Sequence, residues 1–99
     1  MIKNLVAGLL IICGNFLIAQ VNPVIDSLQN VVVGNGHDTL KIYAYSDLCW
    51  EYRLLDQDKA IQNGLNGISL SRKINFKLGE GKNLNDLSII YIDLGRLDS

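Results

Sequence analysis

The strongest constraint on the fold of this chain is a pattern of side chains that occurs twice along it, 39 residues apart. The first copy is Tyr45, Leu48, Cys49 and Tyr52, and the second copy is Leu84, Leu87, Ser88 and Tyr91. Steps of three, four and seven residues put the members of each copy on one face of an α-helix. The same offset pairs Asp47 with Asp86 and Leu55 with Leu94. The sequence therefore predicts an all-α chain that contains two equivalent helices.

Turn-forming residues divide the chain after residue 22 into four predicted helices. The predicted ranges are 24–33, about 40–55, about 58–74 and about 78–94. Pro23 suits a helix start, because its missing N–H would be unpaired there. Gly34 is expected in the left-handed conformation that ends many helices, and Gly95 is expected to stop the last helix.

Polar side chains are expected to cap two of these helices. Asp38 and Thr39 are predicted to cap the second helix and Asp56 the third, because their side-chain oxygens can accept unpaired backbone N–H groups. The joint over 72–82 before the last helix looks long. Two apolar residues are expected to cover it, namely Phe76 and Leu78.

The third predicted helix carries an unusual ridge of small residues. The ridge is Ala60, Gly64, Gly67 and Ser71, beside an apolar ridge of Ile61, Leu65 and Ile68. Two glycines inside a helix cost about 1 kcal/mol each relative to alanine. Close approach of a neighbouring helix would compensate for that cost, so we expect another helix to pack against this ridge.

The run from Tyr45 to Tyr52, followed by Ala60, resembles a tetratricopeptide repeat, whose signature is W-x2-L-G-x2-Y with a later small residue. The resemblance covers one repeat over 38–76 and the first helix of a truncated second repeat over 77–99. It implies antiparallel helix hairpins that form a fragment of an α-solenoid. The chain departs from the family pattern in having glycines within the second helix of the repeat and no proline that closes it.

The resemblance also implies a concave groove lined by the first helix of each repeat. The residues that would face a protein or peptide partner there are Tyr43, Ser46, Trp50, Arg53, Lys82, Asn85 and Ile89. A tryptophan beside an arginine is typical of binding hot spots. The alternative is that Trp50 packs against the helix over 24–33. The Lys/Asn arrangement that grips a peptide carboxylate in some family members is absent, since Ser46 and Trp50 stand at the matching places.

The first nineteen residues have the layout of a secretory signal peptide. Lys3 gives a positive start, an apolar run over 5–12 follows, and Ala19 offers a cleavage point. The alternative is an uncleaved anchor, although the run from Leu5 to Ala19 is shorter than the about 20 residues of a spanning helix. We therefore expect export to the periplasm or cell envelope, with residues 20–37 forming a linker and a short helix.

Charge and residue content argue against several functions. Without Lys3, eight basic and ten acidic residues remain, so neither nucleic acid nor an anionic membrane surface is an expected partner. Cys49 is expected to be structural, and His37 solvated. No nucleophile or second ligand accompanies the single histidine, so we expect no enzyme activity, metal or cofactor in these residues.

These observations predict an exported helical-repeat module for protein–protein interaction or sensing. Because a solenoid needs about three repeats, we expect the chain to be the N-terminal fragment of a longer signalling protein. The whole layout also resembles the N-terminal region of exported bacterial signalling proteins. That resemblance implies an alternative, the regulatory part of a membrane-bound sensor histidine kinase or helix-turn-helix transcription regulator whose output domain lies beyond residue 99. The unpartnered last helix should expose Leu84, Leu87 and Tyr91, so self-association and marginal stability are also expected.

Overall fold

The computed structural model describes residues 22–98, and side-chain burial within residues 22–95. It contains four α-helices over this range: α1 (Pro23–Val33), α2 (Asp38–Tyr52), α3 (Gln57–Lys73) and α4 (Lys77–Asp98). The described residues include no strand, so the all-α class is confirmed. The proposed signal peptide over 1–19 lies outside them. No helix within 22–98 has the length and apolar character needed to cross a membrane.

Side-chain capping bonds are present at the starts of α1 and α3 and absent at the start of α2. Asn22 accepts a hydrogen bond from the Ile25 N–H at 3.2 Å, with Pro23 in the first turn of α1. Asp56 accepts from the Lys59 N–H at 3.1 Å, as predicted. The prediction for α2 was wrong, because the capping position is His37, which makes no side-chain capping bond. Asp38 instead lies in the first helical turn, where its charge suits the helix dipole.

Two glycine predictions were also wrong. Gly34 ends α1 with φ of −81° and ψ of −174°, an extended conformation, while its N–H bonds the Val31 carbonyl at 3.3 Å. Gly95 does not stop α4, which continues to Asp98. Nothing lies within 4 Å of the position that a Cβ would take at Gly95, so no close contact requires a glycine there.

The connection between α3 and α4 is three residues long, in line with the predicted helix ranges, although the joint over 72–82 looked long in the sequence. Asn75 has φ of 58°, the left-handed conformation that asparagine tolerates better than most residues. The Phe76 N–H bonds the Ser71 carbonyl at 2.8 Å and the Asn75 N–H bonds the Arg72 carbonyl at 3.2 Å. This pair of bonds is a Schellman motif, which satisfies the last carbonyls of α3 and reverses the chain at once. Leu78, expected to cover the joint, is 70% exposed.

The small-residue ridge of α3 lies against α4. All four of its members are buried. A Cβ on Gly64 would come within 2.7 Å of Leu87, and a Cβ on Gly67 would overlap the Asn83 side chain. Position 64 meets 87 and position 67 meets 83, so the two helices run antiparallel. The predicted close approach is therefore confirmed, and α4 is the helix that makes it.

Contacts between α2 and α4 run in parallel. Asn83 Nδ2 donates to the Ile42 carbonyl at 3.3 Å, and the Ser46 hydroxyl donates to Asp86. The expected inward stripe of α2 is buried at Leu48 and Cys49, whereas its two tyrosines are half-buried. The core around Cys49 is completed by α3 and α4 through Ala60, Ile68, Leu87 and Ile90.

The outer face of α4 differs from the prediction at one residue. Leu84 and Tyr91 are exposed as expected, together with Ile92. Leu87 is buried, because it occupies the space that Gly64 leaves open. Gly64 thus allows Leu87 of α4 to lie in the core and not on the surface.

We predict that Gly67→Ala destabilises the chain by about 1–3 kcal/mol, because the new methyl group would displace the fully buried Asn83. Gly81→Ala is the matched control, since that glycine lies in α4 with open space around it. Alanine at this position should raise the free energy of unfolding by about 0.5–1 kcal/mol, because its helix propensity is higher. Thermal unfolding followed by circular dichroism would measure both changes. Equal effects of the two substitutions would contradict the close approach of α3 and α4.

Candidate functional site

A groove of about 290 Å³ lies between α2 and α4. Its lining residues are Ser46, Asp47, Trp50, Lys82, Asn85, Asp86 and Ile89. The α2 members are spaced by three and four residues, and the α4 members likewise, so each helix presents one face to the groove. The parallel packing of α2 on α4 brings these two faces together.

The seven residues expected to face a partner fall into two groups in the structure. Five line the groove: Ser46, Trp50, Lys82, Asn85 and Ile89. Tyr43 and Arg53 lie outside its lining. Tyr43 packs edge-on against Phe76 with ring centroids 5.7 Å apart, next to the α3–α4 connection. Tyr43 therefore contributes to the packing of that connection.

Trp50 forms a half-open wall of the groove, with 40% of its surface exposed. The Arg53 guanidinium stacks on its ring at 3.7 Å from the centroid and donates to the Trp50 carbonyl at 3.0 Å. Such stacking is favourable because the ring face is electron-rich. Helix α1 meets α2 at Tyr52, whose hydroxyl accepts from Gln29 Nε2 at 3.4 Å. The indole is thus held from the Arg53 side and open toward the groove.

The floor of the groove is polar and buried. Ser46 is 1% exposed and donates its hydroxyl hydrogen bond to the Asp86 carboxylate, which belongs to a residue 8% exposed. Ser46 was expected to face a partner directly, but its burial leaves it little surface to offer. Its role in the structure is to hold Asp86 at the bottom of the groove. Asp86 was not predicted as a site residue, although the 39-residue offset pairs it with Asp47.

Asn83 fixes the position of α4 beneath the groove. Its side chain is fully buried, and Nδ2 donates to the carbonyls of Ile42 at 3.3 Å and Gly79 at 2.9 Å. Its Oδ1 has no hydrogen-bond partner and faces Gly67. The burial of this asparagine was not predicted from the sequence. In the structure this stretch is the regular start of α4.

Cys49 lies directly behind the groove floor and is fully buried with a free thiol. Burial, and after it the nearby negative charge of Asp86, raises the pKa of this thiol from 9.0 to about 11. A hydrogen bond with the Gly64 backbone acts the opposite way. Cys49 is therefore a protonated, apolar core residue at neutral pH, in agreement with the structural role predicted for it.

The side chains of the groove lining supply charged, polar and apolar groups for noncovalent contacts. They include two carboxylates, an ammonium group, an amide and two apolar side chains. Over residues 22–98 the histidine, cysteine and acidic side chains form no cluster of three that could hold a metal ion. His37, in the loop before α2, is exposed.

Comparison of the chain with protein-family models, with curated proteins and with solved structures gives no match.

We predict that Cys49 resists iodoacetamide in the native protein. The measurement uses a Cys13→Ser background, which leaves Cys49 as the only thiol. Labelling should be negligible at neutral pH and complete in denaturant. Because the folded-state pKa lies above the unfolded one, the contribution of this thiol to stability is complete below about pH 9 and is lost as the pH rises through about 11.

Replacing the thiol provides the control for this prediction. Between pH 9 and 11 the melting temperature of Cys49→Ala should fall less than that of the parent protein. Rapid labelling of the native protein at neutral pH would show that Cys49 is accessible and would contradict its burial.

Proposed function

We propose that this chain is an exported helical-repeat module that binds a segment of a protein partner in the groove between α2 and α4. In this proposal α2 and α3 form one tetratricopeptide-like hairpin, and α4 begins a second repeat. The leader-like pattern over 1–19 supports export, by analogy with secretory signal peptides.

The register of α4 against α2 supports the repeat hypothesis. The two hydrogen bonds that connect these helices join residues 40 and 41 positions apart, close to the offset of 39 at which the sequence matches itself. Equivalent residues of two successive repeats would lie side by side in this way. The antiparallel packing of α3 on α4 through small residues also fits stacked hairpins.

One observation carries the binding hypothesis: a single groove collects Trp50, Lys82, Asn85 and Ile89 from two separate helices. A half-exposed tryptophan held in place by an arginine loses little freedom on binding, so its contact surface is available at low entropic cost. Aromatic anchors of this kind dominate the energy of many interfaces. The groove is open and shallow, which suits an extended polypeptide better than an enclosed small molecule.

The sole tryptophan of the chain makes the groove directly observable, because its fluorescence reports only on this site. We propose to select binders from a random peptide library displayed on phage, and to measure the selected peptides by calorimetry. Binding should shift the fluorescence of Trp50. Trp50→Ala should weaken binding at least about 30-fold, equivalent to about 2 kcal/mol for a hot-spot residue.

Tyr91→Ala is the matched control, because Tyr91 is an exposed aromatic residue of α4 that does not line the groove. Its affinity for the selected peptides should stay within about twofold of the parent. Loss of binding in Tyr91→Ala with full binding in Trp50→Ala would place the partner on the outer face of α4 and would contradict the groove.

A further inference from the structure

We infer that the groove selects partner segments that carry a lysine or arginine side chain, whose cationic group lies against Asp86. This inference rests on the proposed binding function and adds the chemical class of the ligand. Asp86 carries the argument, because it is the most deeply buried charged group in the lining.

Asp86 has one carboxylate oxygen, Oδ2, bonded within the protein, and a second, Oδ1, that has no partner among residues 22–98 and is not among the fully buried atoms. An ionised carboxylate has two oxygens that can each accept more than one hydrogen bond. The only hydrogen bond that Asp86 makes among residues 22–98 comes from the neutral hydroxyl of Ser46. Buried charges in proteins are generally paired with an opposite charge or held by several donors. A cationic group entering the groove would supply the missing partner.

The structure shows no ion pair between Asp86 and the cationic side chains near the groove, Lys82 and Arg53. Lys82 lines the groove one turn before Asp86, but the ion pair that the structure shows within residues 22–95 joins Arg72 to Glu80. Arg53 is held on the Trp50 ring and its carbonyl. Asp47, exposed on the α2 side, adds a second carboxylate, so the lining carries two negative charges and one positive charge.

The remaining walls fit the other parts of a basic side chain. Lysine and arginine have long apolar stems that pack on apolar surface while the charged end seeks a polar partner. Trp50 and the half-buried Ile89 offer that surface above the polar floor. Asn85 is exposed at the groove edge, where its amide can both donate to and accept from the backbone of an extended segment.

Asp86 could instead serve only to tie α4 to α2 through Ser46, and a charge-removing substitution separates the two roles. Asp86→Asn keeps the side-chain shape and an oxygen that accepts from Ser46, so it preserves the tie and removes the charge. Asp58→Asn is the matched control, since Asp58 is an exposed residue in the first turn of α3, outside the groove lining. Both variants lose one negative charge.

The experiment uses the full chain and peptides obtained from the random library. The selected sequences should share a lysine or arginine at one aligned position. Replacing that residue by its neutral counterpart, acetyl-lysine or citrulline, should weaken binding to the parent protein at least about 10-fold. Asp86→Asn should cause a similar loss with the unmodified peptide, while Asp58→Asn should leave the affinity within about twofold.

Combining the two changes tests whether the charges meet. If the peptide cation contacts Asp86, the neutral peptide should bind Asp86→Asn and the parent protein equally well. The neutral peptide has already lost the charge interaction, so removing the Asp86 charge costs nothing more. Independent, additive losses would overturn the inference. Should Asp86→Asn fail to fold, the neutral peptide measured on the parent protein still decides, and unchanged affinity there overturns the inference as well.

Failure of this inference is distinguishable from failure of the proposed function. Peptides that require Trp50 yet share no basic residue, and that bind Asp86→Asn normally, would overturn the ligand class and leave the binding groove in place. Recovery of no peptide that shifts the Trp50 fluorescence would overturn both.

Discussion

The structure depends most on the contact of α4 with the two glycines of α3. With no Cβ at positions 64 and 67, α4 comes close enough for Leu87 and Asn83 to fill the space that side chains would take. Leu87 thereby joins the core beside Cys49, and Asn83 reaches the backbone of α2. Packing of three helices, rather than two, offsets the destabilising effect of two glycines in one helix. The groove therefore depends on these glycines, although neither lines it.

Polar contacts then fix where α4 lies along α2. Apolar side chains alone would tolerate sliding of one helix past the other, since dispersion forces have little directionality. Two hydrogen bonds can form in only one register of these helices. One joins Asn83 to the Ile42 carbonyl and the other joins Ser46 to Asp86. That register aligns Trp50 with Ile89 and places Asp86 below them. The groove is therefore a consequence of helix register, and its shape is as well determined as the hydrogen bonds beneath it.

The sequence predicted the helices, the Asp56 cap and the close contact at Gly64 and Gly67, because each follows from local periodicity or from a residue with one dominant use. It failed at several helix ends, where the local backbone conformation decides. The Schellman motif at Asn75 was missed because asparagine is a weaker signal than glycine for the left-handed conformation. The predictions for Gly34 and Gly95 were wrong for the opposite reason. Glycine can adopt the left-handed conformation but also fits an extended or helical backbone.

A second limit explains why five of the seven groove candidates share one site in the structure while its floor was not foreseen. A face of a helix can be read from spacing, so Trp50 on α2 and Ile89 on α4 were identifiable. Whether a polar residue on that face is buried depends on the partner helix, which spacing does not describe. Asp86 is 8% exposed, whereas Asp47, its counterpart at the 39-residue offset of the sequence, is exposed. One carboxylate is exposed and the other accepts a hydrogen bond from a single hydroxyl, and the preference for positive charge that we propose for the groove follows from this difference in surroundings.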